Sequence, residues 1–573
     1  MKRILCMVCI FAMVIFLCNI AAFASETEEP IVITTAEQFV EQLVTNKATT
    51  YGRVFKIKGE DVLGKDVDGN DITGIDLTKY TKSFSITAFY GEIKGEPGYN
   101  GIKLKNTSLI GTIGGYAAKF ENLILVGDDK APKDNAGALF NSVLDPSSDA
   151  SNSDITIKNV INYVNIDATK AGTINVGGLV GTVPKTTRNI SFENCINYGN
   201  VTNNTAGGAG GIIGNASSGK VSIVNCHNYG IITSYSKAGG IMGNNAYNAA
   251  DLITNCSNHG AVNCVATSGT NYGAAGIACS YIRIENSFNT GNITSTGAAG
   301  GIFGGYATIN KATEGEKYHV KNCFNLGDVK STAAETYCAG GIIGSYNATA
   351  CVVQNCYNAG TVTSDETEAY NIGYSKNDSY IYWGNNYRTN PIADEETANG
   401  FDGIYITLAD LSKGVPADFD TAKWEMVDDS IDFYSYPQLV NNTFYPEDKV
   451  TWVYVAPVTN AEFINTQSFS PEEVNDEDYE QYGDYSVVFT KINLTGIEDE
   501  EITEFGMYLL DANGNRLATA VGLAGNRIGG VFGILFYGNK FEDGVTYKAE
   551  PYIKAGDTEY KGTPVEFQIA DAE

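Results

Sequence analysis

One eight-residue phrase, Asn-x-x-Asn-x-Gly-x-[Val/Ile], begins at Asn194, Asn225, Asn255, Asn286, Asn322 and Asn355, with successive spacings of 31, 30, 31, 36 and 33 residues. Every copy keeps its second asparagine (Asn197, Asn228, Asn258, Asn289, Asn325, Asn358) and its glycine (Gly199, Gly230, Gly260, Gly291, Gly327, Gly360) in the same place. Such a period restricts the fold more than composition can. Each unit is one supersecondary element that buries its apolar side only against its neighbours.

A second element precedes the first. It reads Gly177-Gly178-Leu179-Val180-Gly181, and again Gly210–Gly214, Gly239–Gly243, Gly300–Gly304 and Gly340–Gly344, with a worn copy at Ala275–Ala278 and degenerate units near Asn159–Asn162 and Asn122. The stretch between the two elements varies in length, as an outward loop does. Each unit offers two or three short apolar strands separated by Gly and Asn. Stacking them forms a continuous parallel β core with rungs about 4.8 Å apart, so equivalent residues fall into columns. The asparagine column is then expected to bond amide to amide along the stack, and the glycines to supply the positive φ of a sharp corner. Gly 63 against Pro 13, with 35 Tyr, suits β structure with many tight turns.

The units GGLVG…ENCINYGNV, GGIIG…VNCHNYGII and GGIFG…KNCFNLGDV resemble the GLUG-motif repeats of bacterial secreted and surface proteins. The resemblance covers roughly residues 110 to 385. It implies a right-handed parallel β-helix in an exported, often adhesin-like protein. Enzymes also carry such repeats as a non-catalytic segment.

The expected organisation is all-β. Residues 1–24 read as a signal peptide: Lys2 and Arg3 precede an apolar run from Ile4 to Leu17, and Ala22-Phe23-Ala24 is a small-x-small cleavage site. Residues 25–110 form an N-terminal cap and first coils, with a short helix opened by Thr35-Ala36-Glu37-Gln38 and strands at Arg53–Lys58 and Phe84–Ile93. Residues 111–385 hold the repeats. Residues 386–447 close the stack, with a second helix start at Thr407–Asp410. Residues 448–573 alternate as strands at Trp452–Val455, Ser486–Phe489, Met507–Leu510 and Phe532–Phe536, with turn signals at Asp511–Asn515 and Gly556-Asp557. This suits an immunoglobulin- or fibronectin-like sandwich.

The formal charge is -29, and -31 without Lys2 and Arg3, which argues against nucleic acid, whose phosphates demand a basic face, as a partner. No later run is long enough to span a bilayer, and no LPxTG-like sorting sequence follows Gly562. A secreted or cell-surface location is expected.

The chemistry-bearing residues are few. Nine cysteines follow the signal, and five of them (Cys195, Cys226, Cys256, Cys323, Cys356) share one repeat position, which Ser287 fills in another copy. A column of small buried side chains accounts for this. Odd number and missing CxxC spacing argue against a full disulfide framework or a zinc site. His227, His259 and His319 are the only histidines, expected at the surface or in stacking, with no catalytic triad and no imidazole pair to hold a metal. Asp66-Val67-Asp68-Gly69-Asn70-Asp71 has calcium-like alternation but lacks the remaining EF-hand ligands, so a solvated turn is expected. The repeats are poor in the paired acids a glycosidase needs.

One column invites ligand contact. Tyr198, Tyr229 and His259 are equivalent in successive repeats, and Ile196, His227, Ser257, Phe288, Phe324 and Tyr357 form a second mixed column. Aromatic ladders stabilise rungs by stacking or serve as sugar platforms. No catalytic, cofactor or metal residue is assigned. The expected function is a non-enzymatic adhesin that binds host or microbial glycan or a surface or matrix protein. A carbohydrate-active enzyme and a spacer for the C-terminal module are the alternatives.

Overall fold

The computed structural model describes residues 29–45, residues 52–440 with interruptions in the connections between rungs, and the strands between 462 and 568. The signal-peptide stretch and the strand expected at Trp452–Val455 lie outside the described residues.

The chain forms a β-solenoid. One rung runs through strands Asn189–Glu193 and Ile196–Asn197, then Val201–Asn203, Gly208–Gly210 and Ile213–Ala216. Equivalent strands of successive rungs pair in parallel, in a long sheet of 23 strands that also takes in one antiparallel hairpin, two sheets of seven and one of six. Register is kept residue for residue: Phe55, Ile93, Phe120, Ile157, Phe192, Ile223, Ile253, Ile284, Val320 and Val353 form one column. All ten are at most 1% exposed and belong to one continuous core. A slip of one residue would turn this column to solvent, which is why the register is so strictly held. Outward neighbours alternate in charge, as where the Lys158 ammonium meets Glu193 at 2.7 Å on the adjoining strand.

The repeat asparagines and glycines exchange the roles that the sequence suggests. Asn122, Asn159, Asn194, Asn225, Asn255, Asn286, Asn322 and Asn355 have φ between 47° and 56°, while none of the described repeat glycines is left-handed. Asparagine tolerates that region through its short polar side chain, so it turns the corner between the first two strands of each rung. The glycines answer to space instead. A Cβ on Gly230 would stand 2.1 Å from the Gly199 carbonyl oxygen, and one on Gly260 2.1 Å from that of Gly230. The column is packed backbone on backbone.

Both asparagine columns form amide ladders. The outer one links Asn194 to Asn159 at 3.1 Å and Asn225 to Asn194 at 2.6 Å, the later residue donating. The inner one runs Asn162, Asn197, Asn228, Asn258, Asn289, Asn325, Asn358, each Nδ2 donating to the next Oδ1 at 2.7 or 2.8 Å. Each inner Nδ2 also donates within its own rung, as Asn228 does to the Gly230 carbonyl at 2.8 Å. That second bond fixes which way the amide points. The inner ladder lies against the second glycine of the other repeat element: a Cβ on Gly211 would meet Asn228 at 2.5 Å and the Gly240 carbonyl at 2.1 Å. The two sequence elements are therefore halves of one packing unit.

The cysteine column is buried, and all seven described cysteines are free thiols. Its members do more than fill space. The Cys195 and Cys226 N–H groups each donate to the next cysteine's Sγ at 3.4 Å, and the Cys226 thiol donates back to the Val224 carbonyl at 3.3 Å. Ser287 repeats the pattern, accepting from Cys256 N–H at 3.1 Å and donating to Glu285 O at 2.8 Å. A small side chain that both accepts and donates is what the site needs. Burial holds the Cys195 and Cys226 thiols well above the ordinary range.

At the N-terminal end, helix Ala36–Phe39 continues as a π-helix Val40–Thr45 and seats Phe39 and Leu43 on the core. Thr35 caps it by accepting from Gln38 N–H at 3.3 Å, while the Gln38 side chain reaches back to Thr34. The strand expected over Phe84–Ile93 is two, Phe84–Ile86 and Gly91–Gly95, on different sheets. Thr407 caps its turn, accepting from Asp410 N–H at 3.0 Å. Beyond the solenoid, the described C-terminal strands form two antiparallel sheets, one of them containing Ile502–Asp511 and Thr546–Ala555. The hairpin expected around Gly556-Asp557 is present, pairing Ala555 with Thr558. Among the described residues no helix is long and apolar enough to cross a membrane.

Candidate functional site

The outer face of the long sheet carries the aromatic column. Rungs of a parallel sheet bring equivalent rings close enough to stack. Tyr163 and Tyr198 stack at 5.0 Å, Tyr198 and Tyr229 at 5.0 Å, and Tyr229 and His259 at 4.5 Å, with interplanar angles of 11°, 17° and 10°. The ladder then steps to the neighbouring column. His259 meets Phe288 edge to face at 5.5 Å, and Phe288, Phe324 and Tyr357 continue at 4.7 and 5.0 Å with parallel rings.

Where the ladder changes column, a polar chain crosses it. His227 Nδ1 and His259 Nε2 both bond the Ser257 hydroxyl, at 2.7 and 2.8 Å, and His259 Nδ1 bonds the Thr290 hydroxyl at 2.9 Å. Of the surface and stacking roles expected for the histidines, His259 takes the stacking one, and its imidazole is also linked to that of His227. They sit in different columns, yet one serine on the intervening diagonal joins them. Burial pushes the His227 pKa down to about 4, and burial together with His227 pushes that of His259 down to about 3. Both rings are neutral at physiological pH. His319 lies elsewhere, with Nε2 2.5 Å from Glu285, whose carboxyl it holds below the usual range.

Two side elements fold over the ends of this face. At the C-terminal end Leu411, Phe419, Trp424 and Leu439 bury Phe288, Phe324 and Tyr357, and the Tyr357 hydroxyl donates to the Pro437 carbonyl at 2.9 Å. The segment expected to close the stack therefore also runs along its flank. At the N-terminal end the antiparallel hairpin of Asp61–Lys65 and Asp71–Asp76 lays Leu63 and Ile72 on Val126.

Between that hairpin and the first ladder rings lies a cleft of about 400 Å³. Its lining combines Asp66, Asp71 and Thr73 of the hairpin with Tyr99, Tyr163 and Tyr198, over a floor completed by Ile124 and Ile161. Tyr99 is 46% exposed, whereas Tyr198 is 9% exposed. Of the three residues singled out in the sequence, Tyr198 reaches this cleft. Tyr229 and His259 stand further along the ladder and do not line it. Tyr99, Asp71 and the hairpin side of the site carry no repeat signature that marks them.

The described residues of the hairpin turn are tied together by side-chain hydrogen bonds. Asp66 accepts from Asn70 N–H at 2.8 Å and from the Asn70 side chain at 3.2 Å, with Gly69 at φ 78°. Asp511-Ala512-Asn513-Gly514-Asn515 makes the same turn: Asp511 accepts from Asn515 N–H and Nδ2 at 2.8 Å, with Gly514 at φ 86°. Aspartate at the first position of both stretches ties off a turn. Asp71 is 3.1 Å from the Lys65 ammonium. No group of three metal-ligating side chains occurs among the described residues.

No family model matches the chain, and no curated protein does. Among solved structures it is similar to a crystal structure of "a putative immunoglobulin A1 protease from Bacteroides ovatus", with 16% identity over 73% of this chain and 94% of that one and a TM-score of 0.34. A likeness that loose bears on neither activity nor substrate.

Proposed function

We propose that this is an exported, cell-surface or secreted adhesin-like protein, built on GLUG-type repeats, whose glycan or protein ligand seats in the tyrosine-lined cleft. The observation that carries the reading is the cleft itself: an apolar and aromatic concavity with a few polar groups converging on it, held by the rigid end of a solenoid. Rigid support matters because ordering a mobile site would consume binding energy. The signal-like N-terminus and the acidic composition agree with work outside the cell.

Glycan and matrix-protein arrays probed with the purified protein and with Tyr99→Ala test this. Binding to at least one ligand that falls about tenfold in the variant is expected, the loss of one well-packed aromatic contact. Blank arrays, or binding indifferent to Tyr99, would sink the proposal. Polysaccharide digests run in parallel separate binding from turnover.

A further inference from the structure

We infer that the cysteine column makes assembly of the solenoid conditional on reduced thiols: an oxidised column does not stack, and a stacked column is shielded from oxidation. Cys195, Cys226 and Cys256 stand on three consecutive rungs and Cys323 and Cys356 on two more, with Ser287 between the groups. All five are 0% exposed.

Each sulfur is enclosed by backbone. That of Cys195 lies 3.4 Å from the Glu193 carbonyl oxygen of its own rung and 3.6 Å from that of Ile157 on the rung before. Cys256 repeats this with Thr254 at 3.3 Å and Ile223 at 3.6 Å, and Cys356 with Gln354 at 3.3 Å and Val320 at 3.6 Å. The Cys226 and Cys256 sulfurs also accept the N–H of the preceding cysteine, at 3.4 Å. A group added to sulfur removes the proton given to the carbonyl and needs volume that a close-packed core lacks. A bridge along the column fits no better. Equivalent atoms of neighbouring rungs lie about 4.8 Å apart, whereas a disulfide draws its Cβ atoms to about 3.8 Å. Closing one would pull two rungs about 1 Å out of the spacing that both amide ladders hold.

Before the rungs stack, neither obstacle exists. Column neighbours are 31, 30 and 33 residues apart in the chain for Cys195 to Cys226, Cys226 to Cys256 and Cys323 to Cys356, and loops of such lengths close at little extra entropic cost. A thiolate of the unfolded chain attacks one sulfur of oxidised glutathione; the glutathione S–S bond breaks, a protein–glutathione S–S bond forms, and one glutathione leaves with the thiol proton. A second protein thiol displaces the attached glutathione in the same way. Two protein thiols are then oxidised and one glutathione disulfide is reduced to two glutathiones. Within the stack, burial holds the Cys195, Cys226 and Cys323 thiols well above the ordinary range, which withholds the attacking thiolate.

Refolding of the purified, reduced chain from urea into reduced or oxidised glutathione, followed by circular dichroism and peptide mapping, tests the inference. The refolded fraction is expected to fall at least about tenfold in oxidised glutathione and to recover with excess dithiothreitol, the trapped chains carrying glutathione or disulfides at the column cysteines. Native protein in the same buffer should keep its column thiols at least about a hundredfold longer than the urea-unfolded chain does. Serine at all five column positions, as Ser287 already stands in one rung, should raise refolding in oxidised glutathione at least about fivefold. Serine at Cys264, Cys279, Cys338 and Cys351 instead should leave the block in place. If the five-serine chain does not refold even when reduced, the positions mapped in the unaltered chain decide. Equal refolding in both buffers overturns the inference, as does modification of native column thiols at the unfolded rate. A block that maps to the other four cysteines and disappears with them overturns it as well.

Discussion

In each repeat two asparagines stand three residues apart, and the pair Asn225 and Asn228 shows how differently one side chain is used. Asn225 is half-buried at φ 53°, and its amide donates to Asn194 at the surface of the stack. Asn228 lies within a strand, is 0% exposed, and bonds Asn197, Asn258 and the Gly230 carbonyl. The outer residue is chosen for its backbone, the inner for its amide. Water can replace a lost bond at the first position, but not at the second, where an unpaired polar group carries its full desolvation penalty.

The largest effect is therefore expected at the inner column. Asn228→Leu keeps the approximate shape but leaves the Asn197 amide, the Asn258 oxygen and the Gly230 carbonyl without their partner. It should cost about 3–4 kcal/mol in urea unfolding. A loss below about 1 kcal/mol would erase the distinction between the columns.

Acid gives the next effect, and it separates the ladders of amides, which do not titrate, from the histidine chain beside them. The folded pKa values of about 4 for His227 and about 3 for His259 lie below the unfolded value of about 6.5. As pH falls through 6.5 the unfolded chain takes up protons first, so the stability these groups confer is complete above that pH and is lost towards pH 3–4. A fall on the order of 2 kcal/mol between pH 7 and pH 4 is expected from thermal or urea unfolding across pH, after allowing for the part-exposed rings. His227→Phe with His259→Tyr, which extends both aromatic columns, should flatten the part of the profile above pH 4. An unchanged profile would show that the two imidazoles are not the acid-sensitive groups.

Smaller effects belong to the outer column. Asn225→Ala should cost about 1–2 kcal/mol for the left-handed backbone, and Asn225→Gly less than about 1 kcal/mol, since glycine accepts that conformation. If glycine proves no better than alanine, the left-handed φ is not what selects asparagine at that position. The smallest change is expected for Cys226→Ser, within about 0.5 kcal/mol, because Ser287 makes the equivalent pair of bonds two rungs further on. Cys226→Ala should exceed it by about 1 kcal/mol, having left the Cys195 N–H without its acceptor.

The rungs were legible in the sequence because stacking turns a spacing along the chain into a neighbour in space. Asn197, Asn228 and Asn258 announce their contact by recurring, and so do the tyrosines of the ladder. What recurrence does not encode is the reason for each residue. Asparagine and glycine both suit left-handed corners, and only the 2.1 Å at which a Cβ on Gly230 would meet the Gly199 carbonyl oxygen shows which of them is there for space. The candidate site was hidden for a different reason. Asp71, Tyr99 and Tyr198 come from three separate regions of the chain, and the Tyr357 hydroxyl finds its partner 80 residues away. Elements that fold over the flank of a solenoid occur once, so no period points to them.

The two amide ladders also run in opposite senses: inner amides donate towards the C-terminal end of the stack, outer ones towards the N-terminal end. Each row alone would build up an electric dipole that grows with every repeat, as aligned peptide units do in a helix. Set against each other, the rows largely cancel. A rung that takes part in both rows adds one amide link in each sense, so the opposition of the rows does not depend on how many rungs are stacked.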